Sequence, residues 1–229
     1  TANTFGYLVE GSSRIRKRLA ETGGEVRYTA YGYHGTEILI DGEYRWQTYT
    51  SYTQGYAKMR LEDHAEAAWQ QGVTATVFNC PEIRTNSSDI FVGVELSLFP
   101  LLTALKREGG GEWADQQWAL CQDLLQEGVQ LEEILDKIEA YNNDPVIAKF
   151  RDFDAWPMDN TAELAEVMVG TSQEITALHK DRNTLITDHL SSLVLEGTGP
   201  LIFHEASRPH GPVLWLNHDI IARQLNRMH

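Results

Sequence analysis

An α+β fold is predicted by three features of the 229-residue chain. Residues 26–52 hold two runs rich in Tyr, Thr, Ile and Trp on either side of Asp41-Gly42, the strongest short-range hairpin signal. Leu131, Ile134, Leu135 and Ile138 recur at helical spacing, with Glu132, Glu133, Asp136 and Glu139 on the opposite face. Two further short apolar runs, 201–204 and 213–217, flank a loop with Pro209, Gly211 and Pro212. The expected architecture is therefore an N-terminal antiparallel sheet with packed helices, a mainly helical acidic middle, and a C-terminal β-hairpin and helix. No linker interrupts the composition, so residues 1–229 read as one domain. If it divides, the lobes are 1–99, sheet-rich, and 100–229, mainly helical.

Taken in order, Phe5 to Val9 reads as a short strand. Ser12 or Ser13 then caps a helix to Glu21 that carries Arg14, Arg16, Lys17 and Arg18, ended by Gly23-Gly24. Val26–Ile40 and Glu43–Tyr52 form the hairpin, with Tyr28, Tyr31, Tyr33, Tyr44, Trp46, Tyr49 and Tyr52 giving it an aromatic surface. Tyr56–Gln71 is a helix with Leu61, His64, Ala65 and Ala68 on one face. Val73–Asn79 is a buried strand, and Ile90–Phe99 reads as another. Helices follow over 101–106, 113–126 and 129–141. Asp144 then caps a helix with Pro145 at its first position. Trp156-Pro157 turns the chain, and Asn160 caps a helix to Val169. Ser172–Leu195 reads as one long amphipathic helix, its stripe made by Ile175, Leu178, Leu185, Ile186, Leu190 and Leu193 with Arg182 and His189 in its middle. Gly197-Thr198-Gly199-Pro200 is a turn before the C-terminal hairpin, and Asn217 caps the last helix.

Composition restricts the function classes. The formal charge is −14 and the pI about 4.9, which argues against a nonspecific grip on nucleic acid or an anionic membrane. Residues 108–166 hold fifteen acidic side chains against three basic ones. Glu132, Glu133, Asp136 and Glu139 are its outward row, and they suit a basic protein partner. The first functional reading is a soluble acidic binding or assembly protein that uses this surface, in the extreme as a nucleic-acid mimic. Cys80 and Cys121 stand in no metal-ligand spacing, which suits a reducing, cytoplasmic compartment. No apolar run approaches the roughly 18 residues of a membrane span, and no signal peptide is visible. Thr1 reads as a start exposed by Met removal. Asn86-Ser87-Ser88 is a glycosylation sequon only in a secreted chain.

The alternative reading is a metal-assisted hydrolase. Six of the eight histidines lie between Ser172 and His229. His204, Glu205 and His210 fall within seven residues, a set that binds a divalent metal or moves protons. His204 and His210 are the candidate metal ligands. His189 is a further candidate catalytic group, and the missing ligand would come from His189, His179 or Asp188. Arg208 and Arg182 are the candidate groups for a substrate anion. A nucleophile elbow, a phosphate loop, a dinucleotide fingerprint, an HExxH helix and a CxxC pair are all absent from the sequence.

One short string carries a third reading. Tyr33-His34-Gly35-Thr36 resembles the first motif of some ADP-ribosyltransferases, in which the histidine contacts NAD. The resemblance implies that Tyr52 and Glu95 fill the other two roles. Against it, Ile38-Leu39-Ile40 and the Asp-Gly turn continue the strand where that family leaves it.

Overall fold

The computed structural model describes residues 2–48, 53–85, 92–153 and 161–229. Tyr49, Tyr52, the sequon at Asn86, the Trp156-Pro157 turn and the expected cap at Asn160 lie outside the described residues. The elements begin with α1 (Ala2–Gly11), α2 (Ser13–Ala20), β1 (Tyr28–Gly32), β2 (Thr36–Ile40), β3 (Glu43–Gln47), α3 (Thr53–Gln70) and β4 (Ala75–Asn79). They continue with α4 (Val94–Leu98), α5 (Pro100–Arg107), α6 (Glu112–Gln122), α7 (Leu131–Asn143), a 3-10 turn (Ala148–Arg151), α8 (Ala162–Ala177), α9 (Ile186–Ser207), β5 (Val213–Trp215) and α10 (His218–Met228). The mixed α and β composition agrees with the sequence; several arrangements within it do not.

The chain forms two compact units, each from discontinuous segments. The first comprises residues 1–34, 52–80 and 199–216. Its sheet is parallel throughout, in the order β1-β4-β5, with Tyr28 opposite Ala75 and Val77 opposite Val213. β1 is thus not part of the hairpin that the sequence suggests, and β5 pairs with β4 rather than with residues 201–204. β4 is buried at every position, as a central parallel strand covered on both faces must be. Residues 5–9 are helical, not extended. Ala2, Phe5, Gly6 and Val9 recur at i, i+3, i+4 and i+7 and bury that face beside Leu61, Ala65 and Ala68 of α3. The helices approach closely at Gly6, where a β-carbon would stand 2.9 Å from the His64 ring. Arg16 is turned inward, donating to the Val9 carbonyl and, at 2.8 Å, to the Tyr28 hydroxyl, while Arg14, Lys17 and Arg18 stay in water.

The second unit comprises residues 35–51, 81–198 and 217–229. The β2–β3 hairpin is as predicted, with Asp41 at φ 52° and Gly42 at φ 72°, the left-handed pair of a type I′ turn. α5 and α10 pack on β2. Gly35, at φ +139°, lies under Trp46, whose ring would sit 2.1 Å from any β-carbon there. Residues 94–98 are helical rather than a strand. Leu96, Leu98, Phe99, Leu101, Leu102 and Leu105 are essentially inaccessible, so this segment is apolar on all sides and its period is unreadable.

The long helix expected over 172–195 is two helices. α8 ends at Ala177, and the chain crosses over before α9 starts at Ile186. Asp181 turns it by accepting the Asn183 backbone N–H at 2.9 Å. Arg182 is consequently exposed rather than in an apolar stripe. The Gly-Thr-Gly-Pro segment is inside α9 instead of being a turn. Gly197 packs on α10, where a β-carbon would stand 2.9 Å from Ile221 and 3.1 Å from Leu225. Tertiary contact at a residue without a side chain overrides its weak propensity. Residues 201–204 are accordingly helical, which removes the C-terminal hairpin. Among the described residues no helix is long and apolar enough to cross a membrane.

Candidate functional site at the strand ends of the parallel sheet

Parallel strands put all their carboxyl ends on one edge, and that edge of the first unit is polar. The ladder runs past the strands there. The Cys80 N–H donates to the Gly32 carbonyl at 3.1 Å, and the Leu216 N–H to the Asn79 carbonyl at 2.9 Å. Tyr33 and His34 follow β1, and both are buried. His34 Nδ1 lies 3.3 Å from Glu62 Oε1 of α3, with the two side chains 6% and 12% exposed. The imidazole also meets the Trp215 ring edge-on at 5.1 Å. Asn79 closes β4 with no exposed surface. Cys80 follows it, and burial pushes its thiol up to about 11, so it is no thiolate nucleophile. In an α/β sheet this edge is the usual place for a ligand.

In the second unit a different polar group surrounds the chain after β4. Arg84 Nη1 donates to both carboxylate oxygens of Asp188, at 2.8 and 2.7 Å, and the Arg84 backbone N–H donates to Ser191 Oγ at 2.8 Å. Ser172 donates to Glu95, whose carboxyl is pushed above the usual carboxylate range by burial, against the pull of that hydrogen bond and of Arg84.

The residues singled out in the sequence are placed as follows. His204 and His210 both turn Nδ1 to Glu205, at 3.2 and 2.7 Å, with the imidazoles 67% and 75% exposed. Partial burial raises the Glu205 carboxyl, but the hydrogen bonds from His210 and His204 outweigh it and hold the group below its usual range. Arg208 is exposed nearby. His189 belongs to another contact, 3.0 Å from Gln117 Oε1, and burial lowers its pKa. His179 is buried between the Ile175 carbonyl and the Ile186 N–H, bonded to both. Among the described residues no three His, Cys, Asp or Glu side chains are grouped to hold a metal. Of the acidic row, Glu132 and Asp136 face water. Glu133 closes a capping box with Gln130 at the start of α7, and Glu139 accepts the Asp41 backbone N–H of the hairpin turn. His34 from the Tyr-His-Gly-Thr string is at the strand edge. Its partners Glu62 and Trp215 lie outside that string. The signal for Glu62 was faint: it borders the Leu61–Ala65 stripe, where a carboxylate needs a cation.

The first unit is thus a parallel-sheet α/β unit whose buried polar side chains gather at the strand ends, the construction of a ligand-binding or catalytic α/β protein rather than of a charge-presenting scaffold. Residues 1–225 match the family described as "Enoyl-acyl carrier protein reductase FabMG". Two solved structures are similar over the whole chain. One, described as the apo structure of FabMG, a novel type of enoyl-acyl carrier protein reductase, is 69% identical with a TM-score of 0.94. The other, described as an NADH-bound structure of FabMG, is 63% identical with a TM-score of 0.82. The chain covers 52% and 55% of those chains, so it spans about half their length. No curated protein matches. The chain belongs to the FabMG family of enoyl-acyl carrier protein reductases.

Membership overturns the readings built on composition. The acidic row over 108–166 is not the mark of a binding protein or nucleic-acid mimic, and the His204–Glu205–His210 set is not a hydrolase centre. The ADP-ribosyltransferase resemblance at Tyr33–Thr36 falls with them.

Proposed function

We propose that this chain is part of an enoyl-thioester reductase, and that its contribution to the reaction is the strand-end edge of the parallel sheet. The observation that carries the reading is similarity over the whole of this chain, at 69% identity, to about half of a protein described as an enoyl-acyl carrier protein reductase. A second relative is described as bound to NADH, and a reduced nicotinamide nucleotide supplies a hydride.

The residues present fit such a group in one respect and not in another. The edge offers His34, Glu62 and Asn79, buried polar side chains of the kind that orient a carboxamide or a carbonyl. It offers no glycine-rich phosphate turn, since the sequence has no G-x-G-x-x-G. Asn79 would therefore hold the reacting end of the nucleotide, with His34 facing the thioester, and the phosphates would depend on other contacts.

The test is consumption of NADH or NADPH by the purified protein, at the full length its gene encodes, with a short enoyl thioester. The expected result is oxidation that requires the thioester and yields the saturated product. Absence of turnover with both nucleotides overturns the reading.

A further inference from the structure

We propose that the buried His34–Glu62 pair is the proton source of the reduction, with His34 as donor and Glu62 as the group that holds it. The inference rests on the reductase reading above and adds a role to two residues. Reduction of a carbon–carbon double bond beside a thioester carbonyl needs a hydride at the β-carbon and a proton at the α-carbon. The hydride comes from the nucleotide. As the β-carbon gains it, the π pair moves toward the carbonyl. The proton that then bonds to the α-carbon leaves an imidazolium N–H, and the neutral imidazole recovers a proton from water. No other oxidant or reductant is needed.

Position, chemistry and cost all point to this pair. His34 is two residues beyond β1, on the edge where parallel sheets bind ligands. Glu62 comes from the helix that crosses between β1 and β4, and its carboxylate lies 3.3 Å from Nδ1. That is the relation in which an acid orients an imidazole and stabilises its charged form. The Trp215 ring packs edge-on against the imidazole, with centroids 5.1 Å apart. Finally, a buried polar pair of this kind contributes little to stability, because desolvation offsets the attraction, and apolar replacements are commonly as stable. The other histidines serve worse: His204 and His210 are mostly exposed, and His218 is sealed in the other unit.

The experiment compares the full-length protein with its H34Q, H34A and E62Q variants, and with a double variant H34L/E62M. Loss of the donor should lower kcat by about 100-fold or more in H34Q, with NADH affinity, read by nucleotide fluorescence, within threefold of the parent. Added imidazole should restore part of the rate in H34A. The double variant, without ligands, should melt within a few degrees of the parent, as a pair kept for chemistry rather than stability would. A kcat in H34Q within threefold of the parent overturns the proposal. So does a double variant that loses its cooperative melt or its NADH binding, because the pair is then structural. If the parent itself reduces no enoyl thioester, the functional reading fails first, and a normal parental turnover with unaffected variants separates the two failures.

Discussion

His218 has no exposed surface, and neither of its ring nitrogens has a hydrogen-bond partner among the described residues. Burial pushes its pKa down to about 3. The folded value lies below the roughly 6.5 of an unfolded histidine, so protons favour the unfolded chain and stability falls as the pH drops below that value. Linkage puts the loss from this one side chain at about 2 kcal/mol between pH 7 and pH 5. His218→Leu should remove that part of the acid slope, measured as urea midpoints of both proteins across the pH range. An unchanged slope would mean that other groups account for the acid sensitivity. No local pattern signals this burial. His218 stands just after a strand and opens α10, and only the packing of α5 and β2 around that helix decides that its first residue is inside.

At the scale of the element, the join between α8 and α9 is made by one imidazole. His179 is 4% exposed. Its Nε2 accepts the Ile186 N–H at 3.2 Å, and Nδ1 reaches the Ile175 carbonyl at 3.0 Å. One neutral ring therefore satisfies a carbonyl at the end of one helix and a donor at the start of the next. Burial lowers its pKa, which keeps the ring in the neutral form that this double role requires. His179→Leu fits the volume but strands both groups. It should cost about 1–3 kcal/mol, seen as a lower denaturation midpoint and faster amide exchange at Ile186. The helices themselves were legible: α3, α5, α6, α7 and α10 follow their periodicity, and α7 its capping box, whereas the Asn217 side chain expected to cap α10 instead accepts from Thr36 Oγ1 and the Glu37 N–H. The break between α8 and α9 was not, because Leu178 and Leu185 keep the stripe in phase across it while Asp181 turns the backbone. The parallel strands were illegible for a different reason. A hairpin is announced by its turn, as at Asp41-Gly42, whereas β1, β4 and β5 are joined through distant chain, and nothing local says which strand meets which.

For the whole molecule, both compact units draw on both halves of the sequence. The first unit takes β1 and β4 from the N-terminal half and β5 from near residue 214, while the second takes its hairpin from residues 36–47 and most of its helices from beyond residue 93. Cutting between Phe99 and Pro100 therefore separates β4 from β5 and the hairpin from α10. Neither piece should show a cooperative melt alone, and circular dichroism of 1–99 and 100–229 expressed separately checks it. Charge was the most conspicuous property of the sequence and the least informative about function. The net −14 describes a solvated surface in which some acids have internal work, such as Glu139 at the hairpin turn and Glu108 with Arg223 at 2.8 Å. His34 is legible in the Tyr-His-Gly-Thr string, but its pairing with Glu62 depends on the α3 crossover.

The pairing of Val77 with Val213 also bears on how the protein is made. β4 leaves the ribosome while the strand that must cover its side is still untranslated, and a segment destined to be buried at every position, with an open edge, invites wrong partners in the meantime. A nascent chain of this design is a natural client for a chaperone, and its yield in a cell lacking one should fall before its finished stability does.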